Sequence, residues 1–134
     1  MKEFILNQNE LEYIFKLFPK NGIVLLRGDL ASGKTTLVKS FAHSKGIDGI
    51  TSPSFSLMQD YIMGDFRLFH YDIYQIGLKG LLQNGLFENL FEDGLHMIEW
   101  GDEELEKYLL NFGIHPMIIK IKTYQNKRKY QIYE

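Results

Sequence analysis

The chain has no cysteine, only three arginines (Arg27, Arg67 and Arg128) and no apolar run long enough to span a bilayer. Lack of cysteine excludes disulfides and thiolate metal sites, and it fits a reducing compartment. The opening segment, MKEFILNQNE, turns polar too early for a signal peptide. Excess charge is missing as well: a formal net charge of -2 gives no electrostatic reason to expect autonomous binding to DNA or RNA. Three guanidinium groups are few for a small-molecule kinase, because such phosphoryl transfer commonly recruits positive charge from a closing lid. With 134 residues, 45% of them hydrophobic and 24% charged, the expectation is one soluble, cytoplasmic domain over 1–134, without membrane association.

What the chain does have is GDLASGKTT, from Gly28 to Thr36, a match to G-x-x-x-x-G-K-[ST]. Chance would produce this pattern in about one chain in two hundred of this length. Gly28 and Gly33 let the backbone curl so that amides of Asp29, Leu30, Ala31 and Ser32 can face phosphate oxygens. The helix beginning near Lys34 adds its positive N-terminal end, and Thr36 belongs to the same cradle. Lys34 is placed to reach the β and γ phosphates, and the Thr35 hydroxyl to ligate Mg²⁺. Context agrees: GIVLLR (Gly22 to Arg27) reads as a buried strand, and KTTLVKSFAHSKG as a helix with Leu37, Val38, Phe41 and Ala42 on one face and Gly46 as its stop.

Around that unit, Glu3 to Leu6 reads as a short strand, and Asn7 with Glu10 has capping-box spacing. Leu11, Ile14, Phe15 and Phe18 share a helical face that ends near Pro19. Alternation at Phe55, Leu57, Gln59 and Tyr61, then an aromatic run from Phe66 to Tyr74, predicts a β-hairpin turning near Gly64. Short helices broken around Gly85 and Gly94 follow, then a buried strand, LHMIEW (Leu95 to Trp100). A helix over Asp102 to Leu110 and a terminal hairpin over Met117 to Tyr133 complete the chain.

Hydrolysis needs carboxylates as well as a phosphate loop. Asp72 in HYDIY and Glu99 in MIEW finish strands, and ligands of open α/β sheets gather beyond the carboxyl ends of parallel strands. Whether the Asp72 strand runs parallel to the one before the phosphate loop is left open by the sequence. His70 reads as a packed or hydrogen-bonded strand residue rather than a general base. Trp100 either packs against the nucleotide or closes the core. The hydroxyl-rich TSPSF (Thr51 to Phe55) has the composition of a turn and also of a phosphate-ordered switch. KIKTYQNKRK reads as a solvated basic hairpin rather than an RNA site.

Taken in order and at this spacing, GDLASGKTTLVKSF, TSPSF, FHYDIYQIG and MIEWGD resemble the TsaE (YjeE) family of bacterial P-loop ATPases in tRNA threonylcarbamoyladenosine synthesis. The resemblance runs from about Gly22 to Trp100. It implies a P-loop NTPase-like three-layer α/β/α sandwich with a central mixed β-sheet, and a Mg²⁺-dependent ATPase acting with TsaD and TsaB. Those partners modify adenosine 37 of ANN-decoding tRNAs, so tRNA is met only indirectly, through the complex. Carried over by position, Lys34 holds phosphates, Thr35 holds Mg²⁺, and Asp72 and Glu99 take the acidic roles. Thr51 to Phe55 matches the family's S-P-T-F switch, with Ser54 at the nucleotide where threonine is usual. Gln75 also departs from the family, which commonly has arginine there. The preference for ATP rests on the resemblance. Two other classes stay open: a small-molecule P-loop kinase, and a nucleotide-gated binding module without useful turnover.

Overall fold

The computed structural model describes residues 1–51, 53 and 57–134. Strand β1 (Lys2–Leu6) leads into a 3-10 turn, Gln8–Glu10. There the Asn7 side chain accepts the Asn9 amide and the Glu10 carboxylate accepts the Asn7 amide, both at 3.0 Å, the reciprocal cap expected from the spacing. Helix α1 is shorter than expected and spans only Glu12–Phe15. Its end tightens into bonds from Leu17 to Ile14 and from Phe18 to Phe15, a 3-10 pattern, as the chain nears Pro19.

Strand β2 (Gly22–Arg27) and helix α2 (Lys34–Ser44) flank the phosphate loop as predicted. The hairpin is β3 (Met58–Met63) and β4 (Phe66–Asp72). It begins later than the alternation suggested, because Leu57 takes a φ of 65°, a left-handed conformation that cannot continue a strand. It also ends sooner: the Tyr74 amide turns back to the Asp72 carboxylate at 3.0 Å. Helix α3 (Gly77–Gln83), a 3-10 turn at Phe87–Phe91, strand β5 (Leu95–Glu99) and helix α4 (Glu103–Leu110) come next. Asp102 caps α4 by accepting the Leu105 amide at 3.0 Å. Strands β6 (Met117–Tyr124) and β7 (Lys127–Tyr133) form the terminal hairpin.

All seven strands join one sheet in the order β1-β7-β6-β2-β5-β4-β3. The central pairs β6/β2, β2/β5 and β5/β4 are parallel, whereas the outer pairs are antiparallel, so the sheet is mixed as expected. Alternation along the buried strands separates two cores. Val24, Leu26, Leu68 and Met97 pack with Leu37, Val38 and Phe41 of α2 on one face. Ile23, Leu25, Phe69 and Ile98 pack with Leu81 of α3 and Leu105 and Leu109 of α4 on the other. Helices on both faces make an α/β/α sandwich, and this double burial explains why GIVLLR is apolar without alternation. Each fully buried aliphatic side chain contributes about 1.5–3 kcal/mol. Among the described residues, no helix is long and apolar enough to cross a membrane.

Candidate nucleotide site

Parallel pairing settles the orientation that the sequence left open. Leu26 of β2 and Asp72 of β4 both lie in register with Glu99 of β5, so the three strands finish side by side. The loop between β2 and α2 closes over that edge. Gly28 must lack a side chain, since a Cβ there would stand 2.6 Å from the Ile121 carbonyl. Gly33 has a φ of 109°, and a Cβ on it would run into the Arg128 guanidinium. Next to the loop is a cavity of about 400 Å³, large enough for a small ligand. Leu30, Ala31, Ser32, Gly33, Lys34, Thr35 and Thr36 border it from the loop side. Asp72, Glu99, Trp100 and Arg128 border it from the strand ends. Gly28 and Asp29 face a smaller recess beside Lys120 and Lys122 instead, and serve the site through their carbonyls.

Lys34 is 4% exposed. Its ammonium donates to the Gly28 carbonyl at 2.7 Å, the Asp29 carbonyl at 3.0 Å and the Ser32 hydroxyl at 3.4 Å. It also lies 3.8 Å from the centre of the Trp100 ring, a cation–π contact. Burial lowers the Lys34 pKa below the ordinary amine value, opposed by the charges of Glu99, Asp72 and Asp29. Trp100 reaches this position through a φ of 69°, a costly conformation for a bulky residue. Several bonds hold it there. The Trp100 amide donates to the Leu26 carbonyl at 2.9 Å, and Arg27 donates to the Gly101 carbonyl at 2.6 Å while pairing with Glu106 at 2.8 Å. Trp100 therefore packs against the phosphate-loop lysine, with Tyr74 against its ring at 4.6 Å.

The Thr35 hydroxyl lies 2.8 and 2.9 Å from the two oxygens of Glu99, which is 3% exposed. His70, fully buried, contacts the same carboxylate through Nε2 at 2.6 Å. No group of three or more His, Asp or Glu able to hold a metal occurs among the described residues. Mg²⁺ does not need such a cage, because it keeps several waters and is bound through one or two carboxylates plus substrate phosphates. The hard oxygen donors of Thr35, Glu99 and Asp72 around one cavity fit that requirement. Ser54 and most of the TSPSF segment lie outside the described residues.

Arg128 is the site residue that the sequence reading missed. The basic hairpin that carries it reads as solvated, yet Arg128 stands against Gly33 at the cavity. Arg27 pairs with Glu106, and Arg67 with Asp60 and Glu92, whereas among the described residues no carboxylate pairs with Arg128. No local signal marks it. Only the strand order, which sets the β6/β7 hairpin next to β2, brings it to the loop.

Comparison with known proteins agrees with this geometry. The family model described as threonylcarbamoyl adenosine biosynthesis protein TsaE matches residues 7–131. The chain is similar to the tRNA threonylcarbamoyladenosine biosynthesis protein TsaE of Bacillus subtilis, 39% identical over 81% of this chain and 73% of the relative. It is also similar to the TsaE of Rickettsia typhi, 35% identical over 91% and 87% respectively. The crystal structure of Bacillus subtilis YdiB superposes with a TM-score of 0.69 at 28% identity, covering 98% of this chain and 84% of that one. A match over nearly the whole chain, joined to the phosphate loop and its fold, places the protein in the TsaE family of tRNA threonylcarbamoyladenosine biosynthesis.

Proposed function

We propose that the chain is a Mg²⁺-dependent ATPase, an accessory factor for N6-threonylcarbamoyladenosine formation at tRNA position 37 that cycles on a TsaB and TsaD assembly. The observation that carries this reading is the convergence of Lys34, Thr35, Glu99 and Asp72 on one cavity beside the phosphate loop. Loop amides and Lys34 bind the phosphates, and Arg128, beside Gly33, adds a second cation. Mg²⁺, held by Thr35 with Asp72 and Glu99, supplies charge neutralisation when bound. Glu99 orients the attacking water, and the protein's contribution is mainly positioning, since phosphoryl transfer requires little covalent help. In this reading bound nucleotide engages Thr51 to Phe55 through Ser54 and favours the partner assembly, which hydrolysis then resets. The chain meets tRNA only through those partners.

The test is phosphate release from Mg-ATP by the purified chain, alone and with TsaB and TsaD, with Lys34→Ala as control. Turnover that depends on Lys34 and rises with the partners is expected. Equal phosphate release from the parent and the Lys34 variant in both mixtures overturns the ATPase reading.

A further inference from the structure

The buried histidine beside the site has a use that hydrolysis alone does not name. His70 sits on β4 opposite Met97 of β5 and Gln59 of β3, in the interior of the sheet, with no measurable exposure. Its Nε2 lies 2.6 Å from Glu99 Oε2. An ionised carboxylate can only accept, so Nε2 carries the proton. Nδ1 is buried and finds no partner among the described residues.

Glu99 needs that donor. A hydroxyl has a single proton, so Thr35 donates to only one carboxylate oxygen at a time although both are within reach. The terminal torsion of a glutamate is broad, and one mobile hydroxyl does not fix the plane of its carboxylate. Asp72 stands directly across from Glu99 in the strand register, and like charges so placed repel. His70 opposes both effects: it binds one oxygen from a rigid strand and withdraws charge from the side away from the cavity.

We infer that His70 is a positioning residue, which fixes the Glu99 carboxylate toward Thr35 by its Nε2–H bond without itself touching nucleotide. The inference rests on the ATPase reading for its catalytic consequence. Its structural content stands apart from that reading.

The experiment compares His70→Gln and His70→Asn. Glutamine carries an amide nitrogen near the place of Nε2, whereas asparagine, of the same chemistry, stops short of Glu99. Crystal structures of both are expected to show Glu99 held near Thr35 in the glutamine variant and swung away in the asparagine variant. Turnover is expected to fall about 10- to 100-fold for asparagine and to recover for glutamine, with nucleotide affinity within about twofold of the parent in each. Affinity is read from the fluorescence of the single tryptophan, Trp100. A loss of packing alone would lower the unfolding midpoint without this split between turnover and affinity. An unmoved Glu99 in the asparagine variant, or equal turnover in the two variants, overturns the inference. Absence of Lys34-dependent turnover in the parent overturns only the ATPase reading, and the Glu99 position in the two crystal structures still decides the role of His70.

Discussion

His96 gives the fold a measurable sensitivity to acid. The ring is buried and stacks on Phe69 with centroids 4.2 Å apart and planes 5° from parallel. Its Nε2 donates to the Glu92 carbonyl at 2.8 Å, which leaves Nδ1 to accept the Tyr71 hydroxyl at 2.7 Å. Protonation of Nδ1 would reverse this bond and take from the buried Tyr71 hydroxyl proton the acceptor it has now. Burial lowers the His96 pKa below its ordinary 6.5; the Glu92 carbonyl, the Glu92 charge and Asp60 oppose this, and Arg67 adds to it. A native pKa below the unfolded one means that the unfolded chain binds the extra proton. The stabilisation is therefore complete above about pH 6.5 and is lost as the pH falls toward the native pKa. A single proton gives a limiting slope of about 1.4 kcal/mol per pH unit, so the loss stays below about 1.4 kcal/mol for each unit the pH falls. Urea unfolding of the parent and of His96→Gln across pH 5 to 8 isolates this contribution, because the surface carboxylates are common to both. The parent is expected to lose the extra amount below pH 6.5. A difference between the two proteins that stays constant from pH 8 to pH 5 would refute the reasoning.

Three further outcomes follow from the site. Lys34→Ala removes charge-assisted bonds worth about 1.5–3 kcal/mol each and is expected to weaken Mg-nucleotide binding at least about tenfold by calorimetry. Arg128→Ala is expected to weaken ATP binding by a similar factor while leaving the unfolding midpoint within a few degrees, and unchanged affinity would remove Arg128 from the phosphate site. Gly33→Ala places a methyl group in the left-handed region and against Arg128, and is expected to cost at least about 1 kcal/mol in urea unfolding. Adding Arg128→Ala to it should recover part of that loss, because only the collision and not the backbone strain is relieved.

How much of this was legible in the sequence depends on the range over which each feature is determined. The phosphate loop, its flanking strand and its helix are local, and Gly22–Arg27 and Lys34–Ser44 stand where the apolar pattern puts them. Glu99 was legible because an apolar strand that ends in a carboxylate is a local signal. Asp72 needed one more fact, the parallel pairing of β4 with β5, which no composition encodes. The start of β3 differs from the alternation because alternation reflects side chains, whereas Leu57 breaks the strand through its backbone. The strand pattern marks His70 as a packed or hydrogen-bonded residue, but it carries no trace of the partner 29 residues away. Arg128 was the least legible, since it approaches Gly33 only through the strand order β7-β6-β2.

The strained residues show where the fold yields to the site. Trp100 follows directly on the fully buried strand β5, and an extended residue at this point would have continued the strand. A φ of 69° turns the chain instead, so that the indole covers Lys34 while Glu99 remains aimed at Thr35. Such a conformation costs about 1–3 kcal/mol in a non-glycine residue and persists only when its surroundings over-determine it. Here the Leu26 carbonyl, the Arg27 guanidinium and the close seat of Gly101 on Leu25 supply that determination, all from β2, the strand that also launches the phosphate loop. The same strand thus holds both the phosphate loop and the turn that places Trp100 against it, which ties the two halves of the candidate site to one rigid element of the sheet.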